Sequence, residues 1–413
     1  VNNKCADDQV QGWNKTLGKT ELLDHTVQVI ARPNNDTLYI ASMLDLRKEP
    51  VILDMPAFDS KYVSLLVSGY DHYVTIPLAS RHGDFQKPTK LLFYTARTEG
   101  YDGEAVEGID KVFEGTGDFI QATVRVMPHA GEPERFQRIV EQIKSFKLLT
   151  LSEYRGEKAK PIGKVAFPAV GETDADIFEN NLLEVMQFVF NHTTFDEGDE
   201  LDRALLKAYE PLGIAPGRTF DANQVAKIDG KQFRAGAARV FAEEMAKATD
   251  PAFAERQALT KFLPKGEMEL DIMVYQSVLG PIGLPATEAV YAPLETQDGK
   301  PMNANHDYVI RMSAEDLPPQ GAFWSMTLYD LNRGFFIPNE RKKYSVGENG
   351  GMKLAEDGSI EIHIAAEQPE GVPEENWLPI ARKDEAMDVI LRIYAPDLEK
   401  FKGWAPPKAE KIQ

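Results

Sequence analysis

The order of periodicities along the chain predicts a multidomain β + α + β protein: a small N-terminal β-sandwich, a helical middle domain and a C-terminal sandwich of jelly-roll type. Three observations predict it. Short alternating runs punctuated by turn residues fill the stretch after position 31. Apolar residues take up helical spacing from Pro133 onward, and strand-like runs resume beyond Gly280-Pro281. Segregated β, α and β blocks argue against a parallel α/β sheet, in which the elements would alternate. The expected divisions are an extension over 1–30, a β-sandwich over 31–133, a helical domain over 134–280 and a second sandwich over 281–413.

Within residues 1–30, Gln9–Leu17 is expected as a short helix with Trp13 on its apolar side. The run Ala31–Ala41 then leads a polar turn into an apolar strand. Pro33 fixes its own φ and is expected to push Arg32 into extended backbone. Asn34, Asn35 and Asp36 carry side chains able to bond back to nearby backbone, and Asn tolerates positive φ. Strands are expected at Leu38–Leu46, Val51–Met55, Tyr62–Val67, Tyr73–Leu78, Leu91–Thr95, Lys111–Glu114 and Phe119–Val126. Turn signals such as Lys48-Glu49-Pro50 and His82-Gly83-Asp84 separate them, as a small antiparallel sandwich requires.

In the middle, Phe136, Ile139, Val140, Ile143 and Phe146 share one helical face. Ile177–Phe190 reads as a second helix capped by Asp174 or Asp176, and Leu201–Tyr209 as a third led by acidic residues that suit the positive end of the helix dipole. A long Ala-rich helix is expected over 221–247, and Pro251 opens a shorter one. Past Gly280, strands are expected at Val290–Leu294, Asp307–Met312, Ala322–Tyr329, Ile360–Ala365 and Met387–Ile393, with Asp-Gly turns at 298–299 and 357–358. The tail Trp404-Ala405-Pro406-Pro407 cannot pair as a central strand.

At 413 residues the chain exceeds what one core holds. A net charge of −19 argues against nucleic-acid binding and against an anionic membrane surface. No apolar run is long enough to span a membrane. The single Cys5 excludes an intramolecular disulfide framework and a multi-cysteine metal site. The seven histidines show no His-x-His or His-Glu-x-x-His pattern, and there is no Gly-x-Ser-x-Gly elbow and no Walker loop.

Arg32-Pro33-Asn34-Asn35-Asp36-Thr37-Leu38-Tyr39, followed by Leu44-Asp45-Leu46 and Glu49–Leu53, resembles the domain-of-unknown-function family 1254. Asp307-Tyr308, Pro318-Pro319, Phe323–Asp330, Asn339, Tyr344-Ser345, Asp357-Gly358-Ser359, Asn376–Pro379 and Leu391–Pro396 resemble the partner family 1214. The resemblance covers nearly the whole chain. It implies an immunoglobulin-like N-terminal sandwich, a helical middle, a C-terminal jelly roll and a bacterial source. It also implies export, so a periplasmic or secreted location is expected, with the cytoplasm as the alternative. Families of unknown function bring no catalytic residues to transfer.

Candidate chemistry therefore rests on residue types. Asn34, Asp36 and Tyr39 form either a polar pocket wall, with Asp36 as ligand or general base, or a corner whose side chains satisfy the backbone. Asp71-His72-Tyr73 offers an imidazole beside a carboxylate with Tyr73 as proton donor, although neighbouring strand residues point to opposite faces. Arg341, Lys342, Lys343 and Tyr344 form the compact basic cluster of an acidic protein, suited to an anionic ligand or to a solvated hairpin. Arg392 shares a strand face with Tyr394 and, once buried, needs a partner, for which a carboxylate is expected. Trp324 is either core or a ligand-stacking surface. Asp196–Glu200 could attract a divalent cation such as calcium, or simply lead a helix.

The resulting expectation is a hydrolase acting on an anionic or ester-containing small molecule at a cleft between the β domains. The alternative is a non-catalytic ligand-binding or assembly protein. A homo-oligomer is expected under either reading.

Overall fold

The computed structural model describes residues 2–28, 31–173, 175–280 and 282–412. Its first helix, α1 (Asn3–Val10), is capped by the Asn2 side chain, which accepts from Cys5 N at 2.9 Å. It stops at Gln11 and Gly12, where φ is +65° and +122°. The expected helix over Gln9–Leu17 is thus a turn followed by a strand, because this left-handed pair halts the helix before Trp13. Trp13 instead packs on Phe119 and Phe167, with ring centroids 4.9 and 5.9 Å away.

Among the described residues, the N-terminal β region has nine strands: β1 (Lys15–Gly18), β2 (Leu38–Asp45), β3 (Val51–Met55), β4 (Val63–Ser68), β5 (Ile76–Ala79), β6 (Thr89–Tyr94), β7 (Lys111–Glu114), β8 (Phe119–Val126) and β9 (Lys147–Thr150). One sheet is antiparallel in the order β1-β2-β8-β4-β5; the second runs β7-β6-β3-β9, with β6 and β7 parallel. Ile40, Leu65 and Val124 from the first sheet share a core with Leu53, Leu91 and Phe93 from the second. Helix α2 (Pro133–Ser145), with Pro in its first turn, adds Ile139 and Ile143 to that core. Each such side chain contributes about 1.5–3 kcal/mol relative to exposure.

The middle holds α3 (Leu151–Tyr154), α4 (Ala175–Asn180), α5 (Leu182–His192), α6 (Glu200–Tyr209), α7 (Gly230–Lys247), α8 (Pro251–Thr260) and α9 (Leu270–Leu279). The single helix expected over Ile177–Phe190 is two, broken at Asn181, which has φ −157°. Asp174 lies outside the described residues, as does Pro281; Asp176 sits in the first turn of α4 and pairs with Arg234 at 2.7 Å. The helix expected from 221 starts at Gly230, since the Asp229 side chain caps it by accepting from Lys231 N and Gln232 N. The acidic run 196–200 leads α6, with Asp199 as its cap and Asp202 paired with Lys265. Asp118 N donates to His192 O and Thr194 N to Thr116 O, which ties the end of α5 to the N-terminal region.

The C-terminal region holds β10 (Ala289–Pro293), β11 (Met302–Asn303), β12 (Tyr308–Met312), β13 (Gln320–Asp330), β14 (Ser345–Gly347), β15 (Ile360–Ala365), β16 (Trp377–Pro379), β17 (Ala386–Pro396), α10 (Leu398–Phe401) and β18 (Ala409–Lys411). One sheet runs β10-β17-β13-β14, with β11 also on β17; the other runs β16-β15-β12-β18. Trp324, Met326, Leu391 and Ile393 from the first meet Ile310, Ile362 and Ile364 from the second in one core. Among the described residues no helix is long and apolar enough to cross a membrane.

The long strands β13 and β17 have a second buried face. Phe323 and Tyr394 project there and meet Leu66 of β4 together with Tyr62 and Met127, which flank β4 and β8 of the first N-terminal sheet. Side chains alternate across a strand, so a strand buried on both faces joins two compartments. The seam between the two β regions is the second compartment.

Candidate functional site

The polar turn at 31–37 lies over this seam. Arg32 is left-handed at φ +51°, against the expected extended backbone. Tertiary contacts hold it there: its N–H donates to Gly334 O at 2.6 Å, and its guanidinium pairs with Asp388 at 2.9 Å. Asn34 fulfils the corner role, its Oδ1 accepting from Asp36 N at 2.7 Å and Thr37 N at 3.2 Å. Its Nδ2 donates across the seam to the Tyr394 hydroxyl at 2.6 Å.

Asp36 does not bond back to the turn. Its Oδ2 accepts from Ser325 Oγ at 2.7 Å and from the Tyr394 hydroxyl at 3.0 Å. Burial, followed by the Asp36 charge, pushes the Tyr394 phenol well up. Arg392, two residues earlier on β17, shares that face; its Nη2 donates to Arg32 O at 3.0 Å and to the Tyr329 hydroxyl at 2.7 Å. The Tyr329 hydroxyl in turn donates to Pro33 O at 2.6 Å, and burial pushes this phenol up to about 12. The carboxylate partner expected for Arg392 is therefore replaced in direct contact by a carbonyl and a phenol. Burial alone would lower this guanidinium, but Tyr329, Asp36, Tyr394 and Tyr291 together hold it raised.

Register supplies the rest. Arg392 pairs with Ser325 on one side and Tyr291 on the other, so all three share the seam face. The Arg392 guanidinium lies 5.9 Å from the Tyr291 ring centroid and 5.5 Å from that of Tyr329. On the opposite sheet Tyr39 pairs with Arg125, whose guanidinium sits 5.5 Å from the Tyr39 ring centroid. Burial pushes the Tyr291 phenol up, against the opposing fields of Arg125 and Arg392. Asp36 Oδ1, Arg392 Nη1 and Arg125 Nη1 are each buried without a hydrogen-bond partner.

The other candidates lie elsewhere. Arg341 stacks 5.1 Å over Trp377 and pairs with Glu374, and Lys343 donates to the Glu374 carbonyl. With Tyr344 and Ser345 they line a cleft of about 500 Å³ that Asn35 also borders. Burial lowers the Lys343 ammonium to about 8. The Tyr344 hydroxyl bonds His25 Nδ1 at 2.7 Å, so it serves the wall of that cleft. Asn35 accepts from Ser345 Oγ at 3.1 Å, which makes the 31–37 turn the partition between cleft and seam.

His72 and Tyr73 belong to neither. His72 is left-handed at φ +60°, so the expected strand Tyr73–Leu78 begins only at Ile76. Tyr73 is buried with Phe253, Met268, Ile272 and Tyr275, and burial pushes it up to about 12. Burial raises the neighbouring Asp71 carboxyl and lowers the His72 imidazole. Trp324 points into the C-terminal core, on the face opposite Ser325. Among the described residues, no group of three or more His, Cys, Asp or Glu is placed to hold a metal ion.

Residue types alone did not single out Arg125, Tyr291 or Ser325 for this site. Arg125 carried a usable signal as the lone charge between Ala122 and Met127. Tyr291 and Ser325 carried none, because only strand register brings them beside Arg392.

Comparisons with known proteins agree with this two-part build. Residues 13–148 match the family described as protein of unknown function DUF1254, and residues 288–398 match the one described as protein of unknown function DUF1214. No curated protein matches the chain. The fold is similar to that of a Vibrio parahaemolyticus protein known from its crystal structure, with TM-score 0.74 and 24% identity over 92% of this chain and 90% of that one. An uncharacterized protein from Burkholderia cenocepacia aligns at TM-score 0.44 and 12% identity over 96% and 81% of the respective chains, too distant to carry weight.

Proposed function

For a chain that joins these two families of unknown function in tandem, we propose one site shared between them: the seam binds a small anionic or ester-containing molecule. The observation that supports this is the trio of unpaired buried atoms, Asp36 Oδ1, Arg392 Nη1 and Arg125 Nη1. An unpaired buried polar atom costs about 1–3 kcal/mol, and more when its group is charged. These charged side chains leave one acceptor and two donors unsatisfied in the seam, which matches a ligand that presents acceptor oxygens to the guanidiniums and a donor or an electrophilic centre to Asp36. We further read the two pairs of sheets as an immunoglobulin-like sandwich and a jelly roll, which would present this seam between their packed faces.

Hydrolysis is the second reading, favoured by the free oxygen of Asp36. Ser325 already donates to Asp36, so water is the nucleophile in this reading. Asp36 would take the proton of that water as it adds to an ester carbonyl, and the guanidinium N–H groups would stabilise the resulting oxyanion. The alcohol would then leave with the proton. A panel of carboxylic and phosphate esters tests both readings. Turnover that Asp36→Asn abolishes and Ser325→Ala retains supports hydrolysis. Binding without turnover leaves a ligand-binding protein, and binding unaffected by Arg125→Gln and Arg392→Gln removes the seam as the site.

A further inference from the structure

We propose that the seam's ligand is a flat monocarboxylate of aromatic character, admitted past Tyr291; this deepens the binding reading above and rests on it. Charge decides the valence. The facing surfaces carry two guanidiniums, Arg125 and Arg392, which stay protonated. Among the described residues, Asp36 is the carboxylate hydrogen-bonded to the strand row that carries Arg392. Glu288 is committed to Arg81 at 2.7 Å, and Asp388 to Arg32 at 2.9 Å. Once Glu288 is ionised, one positive charge is left without a counter-charge, and an uncompensated buried charge is expensive. A single negative charge restores neutrality, whereas a dianion overshoots.

Geometry decides the shape. Each guanidinium lies against phenol rings and keeps an unpaired Nη1. A guanidinium edge meets the two oxygens of a carboxylate in one plane. Nearby, Phe323 and Tyr394 stack at 4.1 Å with their planes 7° apart, so flat rings packed face to face line the seam. An aromatic body gains offset stacking that a saturated one of equal size does not.

The route follows from strand order. β10 is the edge strand of its sheet. Tyr291 on it is 41% exposed, whereas Ser325 and Arg392 in the same row are 1% and 3% exposed. The Tyr291 ring therefore reaches solvent at the edge of the row, while its hydroxyl lies buried toward Arg125 and Arg392.

The test is isothermal titration of the full chain with benzoate, cyclohexanecarboxylate, acetate and inorganic phosphate. Benzoate is expected to bind at least tenfold more tightly than the other three. Arg125→Gln should weaken benzoate at least tenfold with the circular dichroism spectrum unchanged. Tyr291→Ala, a change at an exposed ring, should lower benzoate toward the level of cyclohexanecarboxylate. Phosphate binding as tightly as benzoate, lost in Arg125→Gln, overturns the monocarboxylate class and leaves the binding reading standing. Cyclohexanecarboxylate binding as tightly as benzoate overturns its aromatic character. No binding by any of the four overturns both.

Discussion

Asp36 and Tyr394 stand 358 positions apart and are joined by a 3.0 Å hydrogen bond inside the protein. Ser325 donates to the same oxygen, so two C-terminal strands converge on one N-terminal carboxylate. Asp36→Ala strips the charge from beside Arg392 and leaves two hydroxyls without their acceptor. The expected cost is on the order of 3–5 kcal/mol, the range for breaking a buried charge arrangement by removing one member. Urea denaturation measures it, and a loss below about 1 kcal/mol, the scale of an exposed ion pair, would contradict this role.

Glu288 gives the stability a pH dependence of definite sign. Burial raises its carboxyl from 4.5 to about 7 despite the pairing with Arg81. The folded protein holds this proton more tightly than the unfolded chain does. Its contribution is therefore full below about pH 4.5 and is lost as the pH rises through about 7. The gap corresponds to on the order of 3 kcal/mol. Denaturation midpoints measured across that window should fall for the native chain and stay flatter for Glu288→Gln.

Gly347 faces Ser325 across the β13–β14 ladder. Its backbone is extended, at φ 172°, so conformation does not demand glycine. Space does: a Cβ there would stand 2.5 Å from the Trp324 carbonyl oxygen and 2.9 Å from Ser325 Cα. Gly347→Ala should cost about 1–3 kcal/mol by overpacking. It should also shift Ser325 and weaken any anion bound in the seam, as thermal unfolding and titration of one sample would report.

Lys343 is held near 8 by burial, with its ammonium on the Glu374 carbonyl. Its acylation by an amine-reactive reagent should rise between about pH 7 and 9 and then level, below the usual lysine range. Peptide mass spectrometry across pH reads this directly. A curve still climbing above about pH 10 would contradict it.

The sequence reading reached the architecture because strand and helix periods are local. The expected strands Val51–Met55 and Ile360–Ala365 match the structure to the residue, as alternation within a few positions defines them. It missed β1, where Lys15-Thr16-Leu17-Gly18 is too short to alternate and follows a left-handed turn. It overextended α7 because Val225 and Ala226 kept the helical spacing, whereas the Asp229 cap sets the true start. Half of the candidate seam cluster is legible in the sequence: Asn34, Asp36, Tyr39 and Arg392 are polar groups set into apolar strands and turns. His72 and Arg341 did not join them, since proximity depends on which sheet faces meet. That pairing is non-local, and a strand buried on both sides looks much like one buried on a single side.

The turn at 31–37 has a consequence for how the molecule comes apart. Arg125 sits on one β region and Arg392 on the other, while the carbonyls of Arg32 and Pro33 serve groups on the C-terminal strands. Cutting the chain between its two matched regions would leave each half with a stranded guanidinium. The halves should accordingly melt in one calorimetric transition within the intact protein, and fragments made separately should recover native stability only when mixed.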